Sequence, residues 1–372
     1  MKKTLLAVAV AAALPAAAFA QTNVTLYGIA DAGVGWQDND VDGQDGSLVV
    51  NSGYNSTSRF GIRGTEDLGS GLKATFNLEG GAQFDTGRSD ADIPSRAAFW
   101  NRRAVVGLAG SFGEVRLGYD YTPAFWSAGS TDIMGYGLLG NWLTFTVQGG
   151  IETRARNGVH YTGTFSGITI RAVYADGEQP KTRAGGIETV DGASGDIWGL
   201  SAAWAGGPLT VQGYYQEVNT RASTTAPITS GGDSVKQMGV GAGYNFGAFR
   251  LALNYGIADA DNGTTVTAMR GDKFQGLGLG AGVKLGTGEL LAQIMQFKVD
   301  NAANGLRDPK ATGFGLAYIH PLSKRTNLYA TYGMMRNNSN ASFAVLASDV
   351  AVGSGALGSD PQGFAVGIRH LF

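Results

Sequence analysis

Arginine and aspartate carry most of the chemistry available to this chain. Among its 372 residues there is no cysteine, so disulfides, thiolate metal sites and cysteine nucleophiles are excluded. His160, His320 and His370 are far apart and in no metal-ligand spacing, and no word pairs a histidine with a nucleophile or base, so no enzyme is expected. Asp38-x-Asp40-x-Asp42-Gly43 opens like a calcium loop, with carboxylates at alternate positions and a turn glycine. The bidentate glutamate position is Val49, so the stretch reads as a solvated loop, at most a weak divalent-cation contact. Gly276-Leu277-Gly278-Leu279-Gly280-Ala281-Gly282 imitates a dinucleotide fingerprint, but Val283-Lys284-Leu285-Gly286 follows where a helix should begin; it reads as a glycine-faced strand, and no cofactor is expected. That leaves Arg59 with Arg63 and Arg154 with Arg156, spaced so that each pair shares one face of an extended strand, where guanidinium groups attract anions.

Strands are what the rest of the sequence offers to hold them. Leu72, Ala74, Phe76 and Leu78 alternate with Lys73, Thr75, Asn77 and Glu79, and the same period runs through Ile168–Tyr174, Phe249–Tyr255 and Phe364–Phe372. Seven short turns, such as Gly69-Ser70-Gly71 and Phe246-Gly247, alternate with eight long polar loops, which predicts sixteen strands. The charged fraction, 16%, is well below the ~25% of soluble domains, and 59 glycines make up the difference. With a formal charge of -2 there is no basic field for nucleic acid.

Met1-Lys2-Lys3, an apolar run from Leu5 to Leu14 and Ala18-Phe19-Ala20 read as a secretory signal over residues 1–20, cleaved after Ala20. The mature chain, 21–372, then carries formal charge -4 and holds no stretch of about 18 apolar residues that could form a membrane helix. A soluble barrel of sixteen amphipathic strands could not fill its interior with side chains, whereas a membrane barrel of that size keeps an aqueous lumen. The expected fold is therefore all-β, a 16-stranded antiparallel transmembrane barrel with its apolar face to lipid.

Particular words point further. Val24-Thr25-Leu26-Tyr27-Gly28, Ser58 through Ala74 (SRFGIRGTEDLGSGLKA), Phe112-Gly113-Glu114-Val115-Arg116-Leu117-Gly118, Tyr121-Thr122-Pro123 and the terminal Val366-Gly367-Ile368-Arg369-His370-Leu371-Phe372 resemble the beta-proteobacterial branch of the Gram-negative general porins, over the whole mature chain. The resemblance implies a trimeric outer-membrane channel for small hydrophilic solutes and ions, narrowed by its third long loop, here about 123–153. It also implies neighbours: two sister subunits, membrane lipid and lipopolysaccharide, and the barrel-insertion machinery, which would read Phe372. One word departs, because Tyr119 stands where the family often has arginine, and its orientation at a strand end is open.

If Phe60 and Ile62 face lipid, Arg59 and Arg63 face the lumen; if Val159 and Tyr161 do, Arg154 and Arg156 also point in. Set against Asp132 and Glu152 on the inserted loop, four arginines predict a charge filter with a cationic surplus and a modest anion preference. Phe125, Trp126, Tyr136, Trp142 and Phe145 on the same loop suit either packing against the wall or a sugar-stacking slide, which keeps a sugar-selective channel as the alternative.

Overall fold

The computed structural model describes residues 23–89, 98–177, 182–184, 187–190, 195–219, 234–260, 273–300 and 308–372; the signal sequence expected over residues 1–20 lies outside them. The strands are β1 (Asn23–Asp38), β2 (Ser47–Ser52), β3 (Arg59–Gly69), β4 (Leu72–Gly81), β5 (Arg103–Gly110) and β6 (Gly113–Tyr121). Then follow β7 (Arg154–Phe165), β8 (Ile168–Ala175), a small hairpin of β9 (Thr182–Ala184) and β10 (Ile187–Val190), β11 (Ile197–Gly206), β12 (Leu209–Asn219) and β13 (Ser234–Asn245). The last third holds β14 (Phe249–Ala260), β15 (Lys273–Leu285), β16 (Gly288–Asp300), β17 (Lys310–Pro321), β18 (Thr326–Asn337), the short pair β19 (Val345–Leu346) and β20 (Ala351–Val352), and β21 (Gln362–Leu371).

These strands form a closed antiparallel barrel. Each wall strand pairs with the next, and β1 closes the ring on β21 in the register Ile29↔Leu371 to Asp38↔Gln362. Gly28 and Phe372 exchange backbone hydrogen bonds of 3.1 Å in each direction at the seam. A Cβ at Gly28 would sit 2.3 Å from the Phe372 ring, so glycine is what lets the terminal aromatic lie flat there. The main sheet has seventeen strands, yet β1 pairs with β3 along Asn23–Ile29 and with β2 along Ala32–Gln37 on the same side. β2 and β3 are thus two halves of one wall strand, and the wall has sixteen. Residues 53–58 between them leave the wall and enter the lumen.

Polarity is inverted relative to a soluble barrel. Phe364, Val366 and Ile368 keep 46%, 46% and 47% of their surface exposed on the outer face, while Gln216, Gln293 and Asn254 are covered inside. Only lipid makes that distribution favourable, and ring closure leaves no unpaired edge within it.

The core lies within the barrel. The segment 122–153 folds inward, carrying helices at Pro123–Ser130 and Leu143–Gln148, and Trp142, Phe145, Leu138 and Leu139 pack with Phe274, Met295, Phe297 and Phe343. Trp142 stacks on Phe145 and Phe145 on Phe274, with ring centres 4.8 and 5.0 Å apart. The glycine-faced strand is their seat: a Cβ at Gly276 would meet Phe145 at 2.5 Å, one at Gly278 would meet Trp142 at 2.8 Å, and one at Gly280 would meet Ile133 at 2.5 Å. The last long loop enters beside it. Gly140 N–H donates to the Leu346 carbonyl at 3.0 Å, and the Gln148 amide both donates to and accepts from the backbone of Ala344. The two loops fill the lumen from the side of β13–β18 and leave open the side of β3–β8.

Candidate functional site

On that open side lies a cavity of about 630 Å³. Its polar wall is built from chain segments that each begin a strand. Arg59 starts β3 where the chain returns from its excursion, Arg102 precedes β5, and Arg154 starts β7 opposite Tyr121. Arg102 Nε donates to Glu79 Oε1 at 2.8 Å and its Nη2 to the Tyr121 hydroxyl at 2.5 Å, which holds this guanidinium in one place. Arg154 Nη2 donates to the same hydroxyl at 2.8 Å, and the guanidinium lies 4.3 Å from the Tyr121 ring centre. Its buried Nε has no hydrogen-bond partner among the described residues. Arg59 approaches Glu79 only to 3.7 Å. Arg171 on β8 lines the cavity further toward the short-turn end.

Across from them, the excursion is tied to the last loop. Thr57 donates to Ser348 Oγ and Asp349 Oδ1 through N–H and hydroxyl, at 2.7 and 2.8 Å, and Asp349 N–H donates to the Gly53 carbonyl at 3.0 Å. Leu138 N–H of the inserted loop donates to the Tyr54 carbonyl at 2.6 Å. Excursion, third loop and last loop therefore brace one another around the opening. Among the described residues four guanidinium groups, of Arg59, Arg102, Arg154 and Arg171, line it with the Asp349 carboxylate, and the carboxylate of Glu79 stands behind them, paired with Arg102 and 3.7 Å from Arg59. Partly used donors in a water-filled constriction attract anions and repel cations.

The expected filter residues divide. Arg59 and Arg154 stand in the cavity wall. Arg63 faces the lumen too, over the Tyr27 ring at 5.1 Å, but in a separate recess toward the short-turn end with Arg103, Glu114 and Arg116. Arg156 is corrected: it leaves on the other face of β7. Asn157 takes a left-handed φ of 52° and Gly118 one of 126°, the register slips between Gly118 and Asp120, and buried Ala155 takes the inward position opposite Asp120. Arg156 then lies 5.9 Å over the ring of Tyr119, whose β5 partner Ala104 lies on the outer face with exposed Val106 and Leu108. This also settles the orientation of Tyr119.

The loop carboxylates are corrected as well. Asp132 is buried, accepts N–H bonds from Tyr136 at 2.7 Å and Met134 at 3.3 Å, and folds its own turn instead of facing solute. Burial pushes its carboxyl up to about 6, against the lowering effect of those N–H groups. Glu152 contributes its carbonyl, which accepts from Thr122 Oγ1 and Gln216 Nε2, while its side chain does not line the cavity. The nearby carboxylates are those of Glu79 and Asp349 instead, and with Arg102 and Arg171 they are what sequence reasoning misses. Glu79 is visible on the polar face of β4; Arg102 and Asp349 lie on irregular backbone, where a two-residue period says nothing.

The aspartate-rich loop serves as a clasp. Asp38 Oδ1 accepts the N–H of Asp40 at 2.9 Å, Asp40 Oδ2 accepts that of Asp360 at 2.7 Å, and Asp42 is exposed. Among the described residues no group of three His, Cys, Asp or Glu could hold a metal. The aromatic set divides too: Trp142 and Phe145 are consumed by packing, so no continuous slide exists, while Phe125, Trp126 and Tyr136 line the cavity.

Comparison with known proteins places this geometry. A family model described as Gram-negative porin matches residues 7–340. Outer membrane porin protein 32 of Delftia acidovorans is 34% identical, and an outer membrane porin protein of Bordetella pertussis is 33% identical, each over the full length of both chains. Among solved structures, the anion-selective porin from Comamonas acidovorans superposes with a TM-score of 0.77 at 30% identity, covering 95% of this chain and all of that one.

Proposed function

The chain belongs to the Gram-negative porin family and lies in the outer membrane, and on that premise we propose that it passes small hydrophilic solutes by diffusion with a modest preference for anions. The observation that carries the preference is the imbalance at the constriction, among the described residues four guanidinium groups against two carboxylates. The solved relative described as anion-selective supports it. We assign no catalytic role. Residues 1–20 act as the export signal, the mature barrel assembles as a homotrimer in contact with lipid and lipopolysaccharide, and Phe372, seated in the closing seam, is the residue read by the insertion machinery.

The zero-current potential of the reconstituted channel in a salt gradient tests the selectivity. Global charge and local charge disagree in sign, since a mature chain of formal charge -4 would favour cations. An anion-selective potential in dilute salt that weakens in molar salt supports the local reading, because screening shortens from about 10 Å at 0.1 M to about 3 Å at 1 M. A cation-selective potential would overturn it.

A further inference from the structure

The loop side of the same cavity is not polar. Phe125, Trp126, Leu143 and Val147 line it, and Trp126 and Val147 keep 36% and 52% of their surface exposed. Most other large apolar side chains with that much exposure sit on the lipid-facing wall, where exposure is favourable; these two sit on the inserted loop, where the neighbour is water. Packing accounts for Trp142 and Phe145, which are covered, and does not account for this shelf. Cations flank it at both ends. Arg154 stacks on Tyr121, the Tyr121 ring lies edge-on to Trp126 with centres 5.2 Å apart, and Arg171 lies 5.7 Å over Trp126 from the other side. Phe125 stacks on Tyr121 at 4.4 Å and extends the flat surface.

We propose that this shelf is a subsite for aromatic monocarboxylates, with the ring on Trp126 and Phe125 and the carboxylate on Arg154 or Arg171. The proposal rests on the anion-channel reading and adds a substrate class to it. A small inorganic anion would use the arginines and leave the shelf wet. A neutral sugar would use the shelf and leave desolvated guanidinium groups without a counter-charge. An aromatic cation would be repelled from both ends. A flat ring bearing one carboxylate satisfies both walls, and the two guanidinium groups on either side of Trp126 let the carboxylate pass from one to the other while the ring keeps its contact.

The test is block of chloride current through the reconstituted mature protein by benzoate, cyclohexanecarboxylate and acetate at neutral pH, with the zero-current potential recorded in the same bilayer. Benzoate should reach half-block at a concentration about 3- to 10-fold lower than acetate, the range expected of an aromatic contact, with cyclohexanecarboxylate between them. Trp126→Ala should bring the benzoate-to-acetate ratio to within about twofold, Trp126→Phe should retain most of it, and Arg171→Gln should weaken block by all three acids. Equal half-block by benzoate and acetate in a channel whose potential is anion-selective overturns the subsite and leaves the anion reading intact; a cation-selective potential overturns the anion reading itself. Equal block by benzoate and cyclohexanecarboxylate overturns the aromatic class. Should Trp126→Ala fail to insert, the wild-type series and Trp126→Phe still decide.

Discussion

Two arginine clusters stand on the same inner wall and differ in how completely their charge is matched. In the lower one, Arg103 makes a bidentate pair with Asp120 at 2.8 and 2.9 Å, and Arg116 donates to Asp120 at 3.0 Å and to Glu114 at 2.6 Å, so these two guanidinium groups meet two carboxylates, while Arg63 in the same recess lies over the Tyr27 ring. Thr162 and Thr75 satisfy the remaining contacts of Arg116 and Glu114. In the upper one, Arg59 stands 3.7 Å from its carboxylate and Arg154 has a buried Nε with no partner among the described residues. The same side chain thus fastens β5, β6 and β7 together where it is matched, and on the proposed reading it acts on solutes where it is not. Arginine counts alone cannot separate those roles; the carboxylate geometry does.

The sharpest way to break the comparison is to unmatch the lower cluster. Asp120→Asn takes from Arg103 its carboxylate partner and leaves Arg116 with Glu114 alone, and stranding buried charge costs about 3–5 kcal/mol. Urea unfolding in detergent should show a loss of that order. A loss below about 1 kcal/mol would mean that water reaches the lower cluster and that its pairing is no different in kind from the upper one.

Asp132 belongs to neither cluster and tests whether a loop carboxylate adds to the field. Its folded carboxyl is raised to about 6 from an ordinary 3.8, so the folded state holds the proton more tightly than the unfolded chain. Its stabilising contribution is therefore complete below pH 3.8 and is lost as pH rises through 6. Relative to Asp132→Asn, the wild type should lose up to about 3 kcal/mol across that window and nothing more above it. The zero-current potential of Asp132→Asn at neutral pH should stay near the wild-type value, because the group faces its own turn.

Selectivity comes next in size. Replacing Arg59 and Arg154 together with glutamine removes two charges that act at roughly 6 Å through water, each worth about 0.7 kcal/mol. The anion-to-cation permeability ratio in dilute salt should fall at least about fivefold. Arg103→Gln should leave the ratio within about twofold while lowering stability, and the reverse outcome would mean that the two clusters have exchanged roles.

How far these roles can be read without coordinates follows from backbone regularity. Phe364, Val366 and Ile368 announce the lipid face because a closed strand keeps its two-residue period to the end of the chain. Arg59 and Arg63 lie on the lumen side of β3 for the same reason. The period fails wherever the backbone does: the slip at Gly118 and Asn157 turns Arg156 outward, and Arg102 and Asp349 stand on segments with no period at all. Asp132 is visible in the sequence as a charge but not as the acceptor that folds Tyr136, which has a left-handed φ of 59°, into place. Gly276, Gly278 and Gly280 are legible as a bare face; that Phe145, Trp142 and Ile133 occupy it requires the loop to be docked.

The smallest effect separates Arg63 from Arg156. Parity assigns both to the lumen, but only Arg63 lies there, over Tyr27 in the recess below the constriction, while Arg156 stacks on outward-facing Tyr119. Arg63 stands outside the cavity that Arg59 and Arg154 line, and the Glu114 and Arg103 charges share its recess. Arg63→Gln should therefore lower the permeability ratio by no more than about twofold at 0.1 M salt, where charges act over about 10 Å, and not measurably at 1 M, where the range is about 3 Å. Arg156→Gln should leave the ratio unchanged at both salt concentrations, because the barrel wall stands between its guanidinium and the solute path. If Arg156→Gln shifts the zero-current potential in dilute salt as much as Arg63→Gln does, the register slip at Gly118 does not turn β7 as described, and Ala155 rather than Arg156 is the residue that faces lipid.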